Sequence, residues 1–156
     1  MKLFLKRDEQ NFLILDQSGN LKYNAIVTTE NTKQRIVAEN ADGIPQSVIL
    51  HKNSLIRHFS VRCCGKMYIL VPVTGECFAF AIYGSTYRFT GDTANGRFSL
   101  YDVDKSPVMT QKKCWSKFGD GYELKIYSEK EELFAVSVAI CAAVFLSSAE
   151  ENAILI

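Results

Sequence analysis

The chain has 156 residues, 47% hydrophobic and 22% charged, with a formal net charge of +1. That length suits one domain, 1–156, with a sizeable core, and the balance excludes a disordered chain. Near-neutral charge excludes a global field for nucleic acid or an anionic membrane, so any such binding must come from a local patch.

At the N-terminus Lys2, Lys6 and Arg7 precede Asp8 and Glu9 with no apolar h-region between them, so no secretory leader is expected. From there on, short apolar or alternating runs recur about every ten residues between Gly, Asn, Asp, Ser or Pro, the spacing of an all-β sandwich or barrel. The predicted strands are 2–7, 11–16, 20–28, 34–39, 46–51, 57–63, 66–73, 77–83, 86–91, 97–102, 107–115 and 121–127. Turn signals fall at Ser18-Gly19-Asn20, Asp42-Gly43, Gly75, Gly91-Asp92, Asn95-Gly96 and Gly119-Asp120-Gly121. Alternation is clear in places: Phe98 and Leu100 oppose Ser99 and Tyr101, while Tyr122, Leu124 and Ile126 oppose Glu123 and Lys125. In Cys77–Ile82 both faces are apolar, and periodicity does not separate strand from helix.

The five cysteines, Cys63, Cys64, Cys77, Cys114 and Cys141, are odd in number and lack C-x-x-C spacing. A disulfide framework or zinc site is therefore not expected, and a reduced cytosolic setting is. Adjacent Cys63 and Cys64 in a strand would point to opposite faces, one into the core, and a bridge between them would be strained.

The last element, 129–150, is a long helix with no polar face. From Leu133 to Leu146 only Ser137 is not apolar, and Ala135, Ala139, Ala142 and Ala143 make up one side. Such a helix must be enclosed by protein or by lipid. A run of about 14 residues is short for a membrane span, which takes roughly 20. Acids flank it at Glu129, Glu131, Glu132, Glu150 and Glu151, and Ser128 with Glu131 reads as a capping box. The reading is a buried core helix. Many antiparallel strands and one apolar helix are reconciled by a closed antiparallel barrel of about twelve strands, with the helix filling its interior.

Several segments resemble the LURP-one-related family. The opening Phe4-Leu5-Lys6-Arg7 and Phe12 to Asn20 are similar to that family's first hairpin. The stronger likeness runs through Tyr87–Asp92, Gly96–Asp102, Gln111–Trp115, Gly119–Ile126 and Glu131–Ile140. One departure is Cys141, where an Asp ending the apolar run would be expected. The family belongs with the tubby C-terminal domain and the phospholipid scramblases. The resemblance therefore implies a tubby-like barrel around a central helix, and phosphoinositides or membrane phospholipids as the ligand class. No motif for either activity can be laid on individual residues here.

Chemistry is sparse. No G-x-S-x-G, H-E-x-x-H, Walker A or G-x-G-x-x-G pattern occurs, and the two histidines, His51 and His58, read as exposed loop residues. The expectation is a non-catalytic module with no cofactor, no metal and no nucleic-acid partner. Two basic clusters remain: His51, Lys52, Arg57, His58, Arg62 and Lys66, and Lys112, Lys113, Trp115 and Lys117 beside Phe118. The second is the candidate head-group site, with Lys113 and Trp115 on one strand face and Lys112 on the other. Two readings of Trp115 stand: packing in the barrel mouth, which the sequence favours, or a place at a membrane interface. The function expected is docking of phospholipid or phosphoinositide head groups, in the cytoplasm or peripheral to a membrane. The alternative is a small protein-interaction scaffold or regulator with no lipid role.

Overall fold

In the computed structural model all residues are described except 54, 76, 155 and 156, and for 148–154 the backbone alone. Twelve strands precede the helix: β1 (Lys2–Asp8), β2 (Asn11–Leu15), β3 (Leu21–Glu30), β4 (Lys33–Asn40), β5 (Pro45–Lys52) and β6 (His58–Cys63) form the first half. The second half is β7 (Lys66–Val73), β8 (Phe78–Tyr83), β9 (Arg88–Asp92), β10 (Arg97–Tyr101), β11 (Pro107–Ser116) and β12 (Gly119–Ile126). A 3-10 turn, Glu129–Glu131, leads into α1 (Glu132–Ile154).

Each strand pairs antiparallel with the next, and β12 returns to β1 through Lys2↔Lys125 to Leu5↔Tyr122, so the sheet closes into a barrel. Closure follows from the alternation: inward positions such as Ile14, Ala25, Ile36, Ile49, Val61, Leu70, Leu100 and Leu124 are buried in every quadrant, and no edge is left to protect. The lumen is filled by α1, in which every residue from Phe134 to Val144 is buried. Ser137, the one polar residue of that run, is satisfied twice: its hydroxyl donates to the Leu133 carbonyl at 2.8 Å and lies 2.8 Å from the Ser47 hydroxyl of β5. On another side Phe78, Phe80, Phe89 and Phe98 fill the wider gap, with ring centroids 5.0–6.2 Å apart.

Three local expectations change. Ser128 caps the 3-10 turn through its backbone carbonyl, which accepts from the Glu131 N–H at 3.1 Å, and its side chain makes no cap bond. The Glu131 and Glu132 carboxylates are drawn instead to tyrosines on the wall, Glu132 to Tyr23 and Glu131 to Tyr87. Gly91 and Gly121 lie inside β9 and β12, not in turns. A Cβ at either would stand 2.2 Å from a carbonyl of the neighbouring strand, that of Arg97 or of Leu5, so both mark close backbone approach. Cys64, with φ +55, turns the β6–β7 hairpin with Gly65, leaving Cys63 buried and Cys64 exposed. Cys141 sits fully buried in mid-helix, where burial pushes its thiol well above its ordinary pKa. A carboxylate at that position would be enclosed in the core.

The two barrel ends differ. At the end where α1 enters, Tyr23 donates to Glu132, Lys22 Nζ pairs with Glu132 at 2.7 Å, and Phe134 packs between Tyr68 and Tyr87. At the opposite mouth α1 presents Phe145 and Leu146.

Candidate functional site

The second basic cluster lies on the β11–β12 hairpin. Along β11, Met109 and Gln111 point inward and are buried. Lys113 and Trp115 continue that face by alternation, but beyond Gln111 the strand has left the packed lumen and both are exposed. Lys112, on the other face, stands opposite Arg97 on β10 and Glu123 on β12. Glu123 also pairs with Lys2 at 3.4 Å. Lys112 is thus one charge in a mixed row, whereas Lys113 and Lys117 share the tip with Trp115. The expected split of the lysines between two faces holds.

The favoured packing reading of Trp115 does not: its side chain is 81% exposed. Phe118 packs in its place. The turn Lys117-Phe118 folds back on the outer wall, with the Phe118 ring edge-on to Phe4 at 5.1 Å and against Gly19. Lys6 Nζ donates to the Phe118 carbonyl at 3.3 Å, and the Phe118 N–H donates to the Ser116 hydroxyl at 3.1 Å. Lys117 Nζ lies 5.0 Å from the Phe118 ring centroid. One aromatic anchors the hairpin and leaves the other in water. The sequence shows two aromatics three residues apart; which one packs depends on Phe4 and Gly19, about a hundred residues earlier.

The first basic cluster divides. Arg62 and Lys66 lie beside the Cys64-Gly65 turn, at the far end of β6 from His58. Its other half, with Arg57 over the Phe145 ring, lies at the same mouth as Lys113, which borders the cavity that Phe145 lines. His51 corrects the sequence reading: it is 4% exposed, stacked on Phe59 at 4.2 Å. Arg57 Nε donates to its Nε2 at 2.8 Å, which leaves Nδ1 protonated and donating to Gln34 Oε1 at 2.7 Å. Burial, and then the Arg57 charge, push its pKa down to about 4. Both ring nitrogens are thus occupied, one by Gln34 and the other by Arg57, whose guanidinium lies over the Phe145 ring, 4.5 Å from its centroid. Among the described residues neither histidine hydrogen-bonds a carboxylate or thiol. Cys63, pushed up to about 12 chiefly by burial, is an inert core thiol at neutral pH.

The same loop carries two residues the sequence reading passed over. Leu55 is fully exposed and Ile56 largely so, between Lys52 and Arg57. The signal was available as an apolar pair inside a basic loop.

The mouth also holds a cavity of about 420 Å³ bordered by Phe78, Phe98, Lys113, Tyr122, Phe145 and Leu146. Among the described residues no group of acidic, histidine or cysteine side chains is placed to hold a metal ion, and no helix is long and apolar enough to cross a membrane.

Comparison with known proteins supports the architecture. No protein-family model matches the chain. The uncharacterized protein YxjI of Bacillus subtilis is 29% identical over 103 residues, 65% of this chain. The match spans 63% of that protein's length. An X-ray structure of a protein from Arabidopsis thaliana superposes with a TM-score of 0.54, covering 92% of this chain and 90% of that one at 17% identity. At that identity the likeness is one of fold.

Proposed function

We propose that this protein is a non-catalytic binding module of the LURP-one-related, tubby-like type that docks anionic phospholipid head groups through its β11–β12 hairpin. The observation that carries this reading is Trp115, 81% exposed beside the exposed Lys113 and Lys117. An indole gains by leaving water for the head-group layer, where its ring meets acyl chains and its N–H stays hydrated. Lysines beside it meet phosphates, each worth about 1 kcal/mol near an anionic surface. The exposed Leu55-Ile56 pair between Lys52 and Arg57 supplies a second contact of the same composition. A charge balance of +1 makes such docking dependent on these local groups.

Sedimentation with vesicles containing phosphatidylserine and a phosphoinositide tests the reading. Wild-type protein pellets at physiological salt and is released as salt rises, because exposed charges are screened within about 10 Å at 0.1 M. Protein that stays in the supernatant with every anionic vesicle sinks it. The runner-up is a protein-interaction scaffold, favoured by Leu55 and Ile56, which would equally enter an apolar groove on a partner. A Leu55→Ser, Ile56→Ser variant that pellets with vesicles as wild type does, but loses a co-purifying protein, would select that alternative.

A further inference from the structure

We propose that the cavity at the barrel mouth binds a single-chain amphiphile with an acidic head. Its tail lies among Phe78, Phe98, Phe145 and Leu146, and its carboxylate or phosphate meets Lys113. This site shares Lys113 with head-group docking but rests on the aromatic cavity, not on Trp115. Three observations carry the assignment.

The first is size. Ligand cavities run from about 300 to 1,000 Å³, and this one holds about 420 Å³. At roughly 30 Å³ for each small heavy-atom group, the share a water takes of its liquid, the cavity accepts about 14 such groups. One medium-length chain fits; the two chains of a diacyl phospholipid do not.

The second is the floor. Phe78 and Phe98 are buried with their rings perpendicular at 5.8 Å, and Phe145 of α1 stacks on Phe78 at 5.0 Å. Arg57, held by His51, braces the other side of Phe145. The apolar surface is therefore formed before any ligand arrives, and little ordering is needed on binding.

The third is the cation and how it is held. The Lys113 N–H donates to the Gly96 carbonyl at 2.7 Å. Gly96 has φ +62, and a Cβ there would stand 2.6 Å from the Lys113 Cβ. The β9–β10 turn thus approaches the lysine stem as closely as a glycine permits, which fixes the stem at the rim. Thr74 and Thr93 add hydroxyls to the same rim. An apolar floor under a cationic rim is the complement of an acid-headed chain.

Isothermal titration of the whole chain with octanoate, decanoate, dodecanoate and hexadecanoate, each below its micelle concentration, tests this. Binding should saturate at one per chain. It should tighten about fourfold per added methylene up to dodecanoate, then level off once the cavity is full. Lys113→Gln should weaken dodecanoate and dodecyl phosphate about fivefold and leave dodecanol unchanged. Whichever of the two acids binds tighter identifies a fatty acid or a lysophospholipid-like ligand as the source. Thr93→Trp, an exposed turn position that cannot upset the core, and Leu146→Trp should each abolish saturable binding. Non-saturating partition, or saturable binding untouched by both tryptophan variants and by Lys113→Gln, overturns the proposal. If wild-type protein ignores anionic vesicles yet binds dodecanoate as described, the head-group reading falls and this site stands.

Discussion

The two ends of the barrel are finished in opposite ways. Where α1 enters, its first acids are turned onto the wall: Tyr23 and Lys22 hold Glu132, Tyr87 meets Glu131, and Tyr68 and Tyr87 close over Phe134. Burial and the glutamates push the Tyr23 and Tyr87 hydroxyls well above their usual pKa, so both remain donors throughout the physiological range. At the other end the aromatic floor is left under an open cavity, Leu55 and Ile56 stand in solvent, and the hairpin presents Trp115. A sealed end contributes to stability; an open apolar end with cations around it has surface left over for a ligand. Mutations should separate the two, costing folding in the first case and binding in the second.

The largest effect belongs to the helix both ends share. Ile140→Asp places an unpaired carboxylate in a fully buried position and should cost several kcal/mol, on the order of a domain's whole stability of about 5–15 kcal/mol. Soluble, cooperatively folding Ile140→Asp protein, followed by circular dichroism, would refute the helix as core.

Next comes acid. His51 is buried neutral with its pKa lowered from 6.5 to about 4, so the unfolded chain binds a proton before the folded one does. Its contribution is fully present above pH 6.5 and is lost as pH falls toward 4, up to about 3 kcal/mol. Urea unfolding at pH 7 and pH 4.5 should show this loss, and a His51→Gln variant should show less of it. Equal pH dependence in the two proteins would remove His51 from the account.

Binding effects follow. Lys113→Ala with Lys117→Ala should weaken vesicle binding roughly 30-fold at about 1 kcal/mol per lysine. Lys112→Ala, on the other strand face opposite Glu123, should change it less than either. A vesicle titration in which Lys112→Ala matters most would move the site to the outer face of β11. A control at the sealed end is Tyr23→Phe, which removes one charged hydrogen bond and should lower stability by about 1.5–3 kcal/mol without altering vesicle binding. Weaker docking in that variant would mean the two ends are coupled.

Most of the architecture was legible from the sequence because it is periodic. Strands such as Arg97–Tyr101 alternate cleanly, and the run from Leu133 to Leu146 permits few places other than a closed interior. Glycine was misread where its role is non-local: Gly91 and Gly121 look like turns, but they allow strands to approach at positions where a Cβ would meet a carbonyl. The candidate site was half legible. Its lysines and their two faces follow from strand alternation. The burial of His51 depends on Gln34, Arg57 and Phe59, and the exposure of Trp115 on the docking of Phe118 against Phe4. These are contacts between strands that no short window contains.

The chain has one tryptophan, and it is the residue on which the functional reading rests, so its emission tests that reading directly. Free in solution, Trp115 should emit as a water-exposed indole. Titration with phosphatidylserine and phosphoinositide vesicles should shift its emission to the blue, and chains brominated near the head group should quench it. Neutral vesicles should do neither. Emission that stays at the water-exposed position while the protein pellets with anionic vesicles would place the membrane contact elsewhere on the barrel and contradict the account.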